Sequence, residues 1–298
     1  MQIEGVTIVE TFAEAFPMWA ARMVITAAGP EWARLAAETA SGLATSIVGC
    51  NCEAGVDQML TPEQTRDGRP GAAVLLFAVS RDALEAAILN RAGQAVMTAP
   101  TTALFDGLSD GERLSLGNKL RYFGDGFQSS KVIAGKRYWR IPVGDGEFLV
   151  EENISAVKGV GGGNFLILGE NQLAALNAAA CAAAAVRDTP GAIAPFPGGI
   201  CRSPSKVGSR YQGLRASTND SFCPTLRGRS AEALPDGCQA VYEIVIDGID
   251  ELAVKNAMRA GILAACKPGV LTISAGNYGG KLGPYHFHLH ELLTERVS

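Results

Sequence analysis

The sequence predicts an α/β (α+β) protein of two tandem ferredoxin-like β-α-β-β-α-β lobes, and three observations carry that prediction. The first is an internal repeat. Residues 80–93 lay onto residues 248–261 without a gap at an offset of 168, with Asp82 on Asp250, Leu84 on Leu252, and Arg91, Ala92, Gly93 on Arg259, Ala260, Gly261. The second is a looser match upstream: a strand at 23–27, a helix at 31–40 and a Gly-led strand from Gly42 answer to a strand at 164–168, a helix at 172–186 and a strand after Gly191. The third is composition. With 47% hydrophobic and 19% charged residues in 298, the chain can bury enough apolar surface to offset the entropy of ordering it.

In chain order, each half then reads β-α-β twice. The apolar runs VLLFAV and YEIVI precede the two repeat copies, and each copy reads as strand, short turn with an Asp N-cap, amphipathic helix and next strand. Two such β-α-β units in one sheet give helices on one face. A polar, Gly-punctuated, hairpin-like region spans 117–143, and the junction is expected within 144–148, giving an N-terminal distal lobe at 1–146 and a C-terminal proximal lobe at 147–298. The sheet face without helices needs a cover, so an oligomer is expected.

Charge and termini exclude several classes. Thirty acids against 26 bases give a net charge of −4, which argues against a phosphate-tracking nucleic-acid binder. The first residues carry no basic segment and an acid at Glu4, unlike a signal peptide. The most apolar stretch, 173–186, is mostly Ala and interrupted by Asn177, too short for a bilayer span of about 20 residues, and reads as a buried helix. Seven scattered cysteines fit reduced thiols, and the expected location is cytoplasmic.

Few residues offer chemistry. All three histidines lie in HFHLH, where period-two spacing puts His286, His288 and His290 on one strand face; no other His exists to complete a zinc shell, so no metal site is assigned. Cys50 and Cys52 form Cys-x-Cys without a second pair, leaving a Cys/His acyl-transfer site as a minor alternative. Glycine runs at 160–165, 195–199 and 274–283 match no phosphate motif; singly they read as turns, but together with Asn164, Asn219 and Asn277 they point to a lined cleft. In VYEIVID, alternation puts Glu243 on the face of Val241 and Val245. If that face is covered, desolvation raises the carboxyl's pKa and gives an acid that delivers a proton near neutrality; if it is open, Glu243 is an ordinary surface acid.

The segments TFAEAF (11–16), MTAPT (97–101), FGDG (123–126), GGGNF (161–165), PFPGG (195–199), SKVGS (205–209), ASTND (216–220), YEIVIDG (242–248) and ISAGNYGGKLG (273–283) together resemble the formylmethanofuran:tetrahydromethanopterin formyltransferases of one-carbon metabolism. The resemblance runs over essentially the whole chain, and the Ala-rich, modestly charged composition resembles a bacterial, methylotroph-type subunit. It implies formyl transfer between N5 of tetrahydromethanopterin and the primary amine of a methanofuran-type coenzyme. Both would be substrates, with no permanently bound cofactor or metal. It further implies homodimers or homotetramers and, in methylotrophs, hydrolase subunits as partners. It makes Glu243 the catalytic acid/base. Candidate substrate-binding residues are Pro197, Gly198, Gly199, Ser205, Lys206, Ser217, Asn219, Asp220, Gly162 and Asn164, with oxyanion donors expected from the 195–199 and 216–220 segments. The alternative reading is a non-catalytic coenzyme-binding subunit of a formyltransferase/hydrolase complex.

Overall fold

A computed structural model of the chain describes residues 1–230 and 233–294. Its contacts divide into two compact units, Met1–Pro17 with Val160–Ser298, and Met18–Gly159. The chain opens with β1 (Gln2–Ile3) and β2 (Val6–Ile8), paired antiparallel around a turn where Glu4 and Gly5 take positive φ. The long β3 (Phe12–Thr26) follows, contributing residues 12–17 to the first unit and 18–26 to the second.

In the second unit, β3 is followed by α1 (Pro30–Ser41), β4 (Glu53–Leu60), β5 (Gly71–Ala78), α2 (Arg81–Arg91) and β6 (Ala103–Asp106). The strands stand in the order β6-β3-β5-β4, each pair antiparallel. This is the expected β-α-β-β-α-β layout, with its first and third strands central. Helix α1 packs on β4 and β5, and α2 on β5. Alanine does much of this work: α1 buries Ala33, Ala36, Ala37 and Ala40, whose small side chains let the helix lie close to the sheet. The unit continues through β7 (Glu112–Ser115) and the short α3 (Gly117–Leu120) into β8 (Ser129–Ile133), β9 (Lys136–Val143) and β10 (Gly146–Glu151). These last three form an antiparallel meander that joins β6 through β10. The hairpin expected in this region is therefore present, but it belongs to the second unit's sheet. Residues 146/147, expected as a lobe junction, open β10, and the compact unit runs on to Gly159.

The first unit repeats the layout. It holds the later part of β11 (Asn153–Gly169), then α4 (Gln172–Arg187), β12 (Ala192–Ile193), the hairpin β13 (Ser205–Val207) and β14 (Ala216–Thr218), β15 (Ala240–Gly248), α5 (Glu251–Ala265), β16 (Val270–Ser274), β17 (Tyr285–His288) and α6 (Leu289–Thr294). The strand order is β16-β11-β15-β12, again antiparallel, with β2 added in parallel beyond β16. Helices α4 and α5 pack on β15 and on each other. Gly261 lets α5 come close to its neighbours: a Cβ there would stand 2.8 Å from the Phe165 ring of β11 and 3.2 Å from Val186 of α4.

Four details depart from the sequence reading. The strand expected from Gly42 starts only at Glu53: Gly42 caps α1 through its N–H to Thr39 (3.2 Å), Leu43 takes positive φ, and the Glu53 carboxylate holds the intervening loop through Ile47 N–H (2.9 Å). Helix α2 is capped by Ser80, whose Oγ accepts from Ala83 N–H at 3.2 Å, not by Asp82, whereas α5 is capped by Asp250 as expected. Helix α4 is buried on one face only, leaving Leu173 and Leu176 exposed. The HFHLH strand ends at His288, and His290 lies in α6, its Nε2 2.8 Å from the Ile8 carbonyl. Among the described residues no helix is long and apolar enough to cross a membrane. The capping difference is testable: Ser80→Ala should cost about 1 kcal/mol in urea unfolding. Asp82→Ala, on a side chain 94% exposed, should stay within about 0.5 kcal/mol. Equal effects would contradict the assignment.

Candidate active site

The site is built on β15. Its alternation sends Tyr242, Ile244 and Ile246 into the core shared with α4 and α5, while Val241 packs on the other face with Leu166, Leu168 and Cys238. Glu243 shares this second face, opposite Leu166 of β11. On its outer edge it meets Cys201, the two main chains exchanging hydrogen bonds at 2.8 Å (Cys201 N–H to Glu243 carbonyl) and 3.0 Å (the reverse). The residue is half-buried. Burial pushes its carboxyl up to about 7, with the Cys201 thiol's hydrogen bond acting weakly the other way. Burial, with the nearby Glu243 charge, also pushes the Cys201 thiol up. Of the two readings of Glu243 left open by spacing, the structure lies nearer the covered one: its face neighbours Val241, Leu166 and Cys238 are buried and Glu243 itself is half-buried.

The glycine-rich and polar segments divide into those near this carboxyl and those used to hold the fold. Pro197, Gly198 and Gly199 form a single 3-10 turn that runs into Cys201. Gly198 and Gly199 both take positive φ, and Gly199 gives its N–H to Phe196 at 2.7 Å. Gly162 sits at the bulge of β11 with φ +88°, donates its N–H to the buried Asp247 (3.1 Å), and has the Phe16 ring where a Cβ would go. Asn164 closes on Gly276 from both sides, Oδ1 accepting its N–H at 2.6 Å and Nδ2 donating to its carbonyl at 3.1 Å. A second Nδ2 bond reaches the Gly162 carbonyl at 3.1 Å, so Asn164 acts as a clamp on the 276–283 loop.

Ser205 and Lys206 lie on β13, opposite Thr218 and Ser217 of β14. Lys206 pairs with Asp220, holding that carboxyl below the usual range; Ser217 Oγ donates to Gly208 at 2.8 Å; and Asn219 N–H donates to Pro204 at 2.9 Å. Lys206, Ser217 and Asp220, with Arg210, Tyr211 and Arg229, line a groove of about 580 Å³. Its volume is within the range of small-molecule clefts, and its lining mixes apolar and cationic side chains.

Three groups connected with Glu243 or its surroundings escaped the sequence reading. Tyr278 donates its hydroxyl to the Ser205 carbonyl at 3.1 Å, and burial first, then the charges of Glu243 and Glu14, push its phenol above the ordinary value. Glu14 is fully buried on β3, and Cys201 is the direct partner of Glu243. Only Glu14 had a legible signal, a lone carboxylate alternating with Ala13 and Ala15 just as Glu243 alternates with its apolar neighbours. The histidines assemble differently from the expected row: His286 and His288 are exposed and their rings lie 4.8 and 5.3 Å from Phe12, while His290 turns to Ile8. Among the described residues no three His, Cys, Asp or Glu side chains group as metal ligands. Cys50 and Cys52 lie in the second unit and the histidines in the first.

Comparison with known proteins gives matches over nearly the whole chain. Residues 1–143 match the family model described as formylmethanofuran-tetrahydromethanopterin formyltransferase, and residues 146–292 match the model described as FTR, proximal lobe. The formylmethanofuran–tetrahydromethanopterin formyltransferase of Methylococcus capsulatus is 56% identical, covering 99% of this chain and all of its own. The solved formyltransferase of that name from Methanosarcina barkeri superposes with a TM-score of 0.94 at 49% identity, covering 98% of this chain and 100% of its own. A chain of the formyltransferase/hydrolase complex of Methylorubrum extorquens, solved with methylofuran, gives 0.97 at 46% identity, with 99% of each chain covered.

Proposed function

Since the chain belongs to the formylmethanofuran–tetrahydromethanopterin formyltransferase family, we propose that it passes the formyl group directly between N5 of tetrahydromethanopterin and the primary amine of a methanofuran-type coenzyme, with Glu243 moving the proton. The chain is a formyltransferase, and the open question is how its residues carry the transfer. The observation that carries this reading is the half-buried Glu243 carboxyl on β15, paired with Cys201, where burial pushes it up to about 7. Such a group is populated in both protonation states near neutrality, as a proton shuttle requires.

The unprotonated amine attacks the formyl carbon, making the new C–N bond and an oxyanion. Glu243 accepts the proton from the attacking nitrogen and delivers it to the departing one as the old C–N bond breaks, so the protein ends in its starting state. In the reverse direction the same carboxyl serves the other nitrogen. Donors for the oxyanion come from the 195–199 and 216–220 segments. The Gly199 and Asn219 amides are engaged within the protein, which shifts the burden toward side chains. Lys206, Ser217 and Asp220 would hold a coenzyme along their groove, and Pro197 and Gly198 before Cys201 and Ser205 after it flank the residue that pairs with Glu243. Gly162 and Asn164 act by shaping the backbone around it.

This reading includes a cytoplasmic homodimer or homotetramer of lobes 1–146 and 147–298. A further step, assembly with hydrolase subunits, rests on the Methylorubrum extorquens relative, itself part of a formyltransferase/hydrolase complex. The test mixes purified protein with N5-formyl tetrahydromethanopterin and a methanofuran-type amine, with and without a chelator. Formamide production that survives the chelator is the expected result. Transfer restored only by co-purified partners would favour the coenzyme-binding subunit instead, and loss of transfer on alkylating Cys50 or Cys52 would favour a Cys/His mechanism.

A further inference from the structure

Proton transfer by Glu243 leaves the buried Glu14 carboxylate without an assigned task. Glu14 is 0% exposed on β3, flanked by the fully buried Ala13 and Ala15. An uncompensated anion there would be driven to its neutral form. It is compensated by one loop: Glu14 Oε2 accepts the N–H groups of Tyr278 (2.8 Å) and Gly280 (3.1 Å), and Oε1 accepts those of Gly283 (3.0 Å) and Leu282. Burial raises the Glu14 carboxyl, but these four amides outweigh it and hold the group below the usual carboxylate range. Glu14 is therefore an anion whose partners are main-chain amides of residues more than 260 positions away.

The loop is fastened along its length. Asn164 grips Gly276 by both its N–H and its carbonyl, Asn277 Nδ2 donates to Thr11 Oγ1 at 3.0 Å, and Gly283 lies against the Ala15 carbonyl with no room for a Cβ. Its starting point bears on the site. Ser274, the last residue of β16, stands opposite Leu166, and Leu166 stands opposite Glu243, so the three form one row across the sheet. From there the loop carries Tyr278 to the Ser205 carbonyl at 3.1 Å, on the segment that leads from Cys201, the partner of Glu243. Burial first, and then the Glu243 and Glu14 charges, push the Tyr278 phenol above its ordinary value. The bond to Ser205 takes the hydroxyl's one proton, so Tyr278 ties the 276–283 loop to the segment that follows Cys201 and thereby bears on the surroundings of Glu243.

We infer that Glu14 is a positioning residue for formyl transfer: its carboxylate, gripping four amides of the 276–283 loop, fixes the Tyr278 hydroxyl as a hydrogen-bond donor to the Ser205 carbonyl, in the surroundings of Glu243. The inference rests on the Glu243 reading for its catalytic meaning, while the grip itself stands on the hydrogen bonds alone. Gln is the informative replacement at 14. It keeps the size but turns an NH2 toward amides that need an acceptor, so part of the grip becomes a clash of donors.

The experiment measures kcat and KM for both coenzymes in the full chain carrying Glu14→Gln, Tyr278→Phe, both, or Glu243→Gln, with hydrogen exchange of the 276–283 peptide in each. Glu14→Gln should lower kcat about tenfold with KM changed less than about twofold, since displacing the surroundings of Glu243 acts on the chemical step. Tyr278→Phe should do the same, and the double variant should be no worse than either single one, because both remove one function. Exchange of the loop should quicken in Glu14→Gln and stay as in the wild type in Tyr278→Phe. Gly283→Ala loosens the same loop from the other side and should reproduce the Glu14→Gln behaviour if that variant folds poorly. Losses that multiply in the double variant, or that fall on KM alone, would overturn the inference, as would unchanged loop exchange in Glu14→Gln. A fully active Glu243→Gln beside coupled, impaired Glu14 and Tyr278 variants would remove Glu243 from the mechanism and leave Glu14 in place.

Discussion

Replacing Glu243 by Gln should lower the rate of formyl transfer by about 10² or more, the usual scale of a lost proton-transfer group, without disturbing the fold. The fold is spared because the two bridge hydrogen bonds with Cys201, at 2.8 and 3.0 Å, are main-chain ones, and a Gln side chain still offers an oxygen to the Cys201 thiol and fills the same volume on the face of Val241 and Leu166. What is lost is the exchangeable proton. In the wild type the carboxyl, pushed to about 7 by burial, changes state across the neutral range, so one limb of the pH–rate profile should follow it. In the Gln variant that limb should vanish along with the rate. The measurement is kcat across the neutral range for both proteins, with circular dichroism as the control for folding. A variant that transfers formyl at the wild-type rate would sink the assignment.

The sequence revealed the parts of this molecule that depend on short-range pattern. The repeat was legible because two copies kept the same helix face and the same Arg-Ala-Gly ending, and both copies fold as expected into α2 and α5 packed on β5 and β15. Glu243 was legible as an anomaly, a carboxylate where alternation calls for an apolar side chain. Glu14 presents the same anomaly, yet its meaning depends on four amides from the far end of the chain, and nothing local announces them. The same reason explains Asn164. Spacing suggested a cleft-lining amide, but its carbonyl and NH2 are taken up by Gly276 and Gly162, so it shapes the site from beneath. His290 misled in the opposite direction. The period-two pattern of HFHLH is real through His288, after which the Leu289 N–H bonds to Thr11 at 3.0 Å and the chain turns into α6. Alternation predicts a face only while the strand lasts, and here it lasts to His288.

The same Glu243→Gln change should make the protein more stable at pH above 7, and that gain measures what the site costs the fold. The folded chain holds the Glu243 proton up to about 7, whereas the ordinary value, which applies once the chain unfolds, is 4.5. Below about 4.5 the carboxyl is protonated in both states and exacts no penalty. As pH rises through the interval, unfolding releases a proton that the native state retains, so unfolding is favoured and stability falls. Above about 7 the native group is ionised in its poorly solvated place and the whole cost is in force. At 1.36 kcal/mol per pKa unit this is up to about 3 kcal/mol. Gln cannot ionise, so the variant should match the wild type near pH 4.5 and exceed it by an amount that grows through neutrality and levels off above it. Urea unfolding at those pH values reads the difference directly. A constant offset at every pH would mean that packing, not ionisation, separates the two proteins, and the carboxyl would then lack the desolvation that fits it for proton transfer.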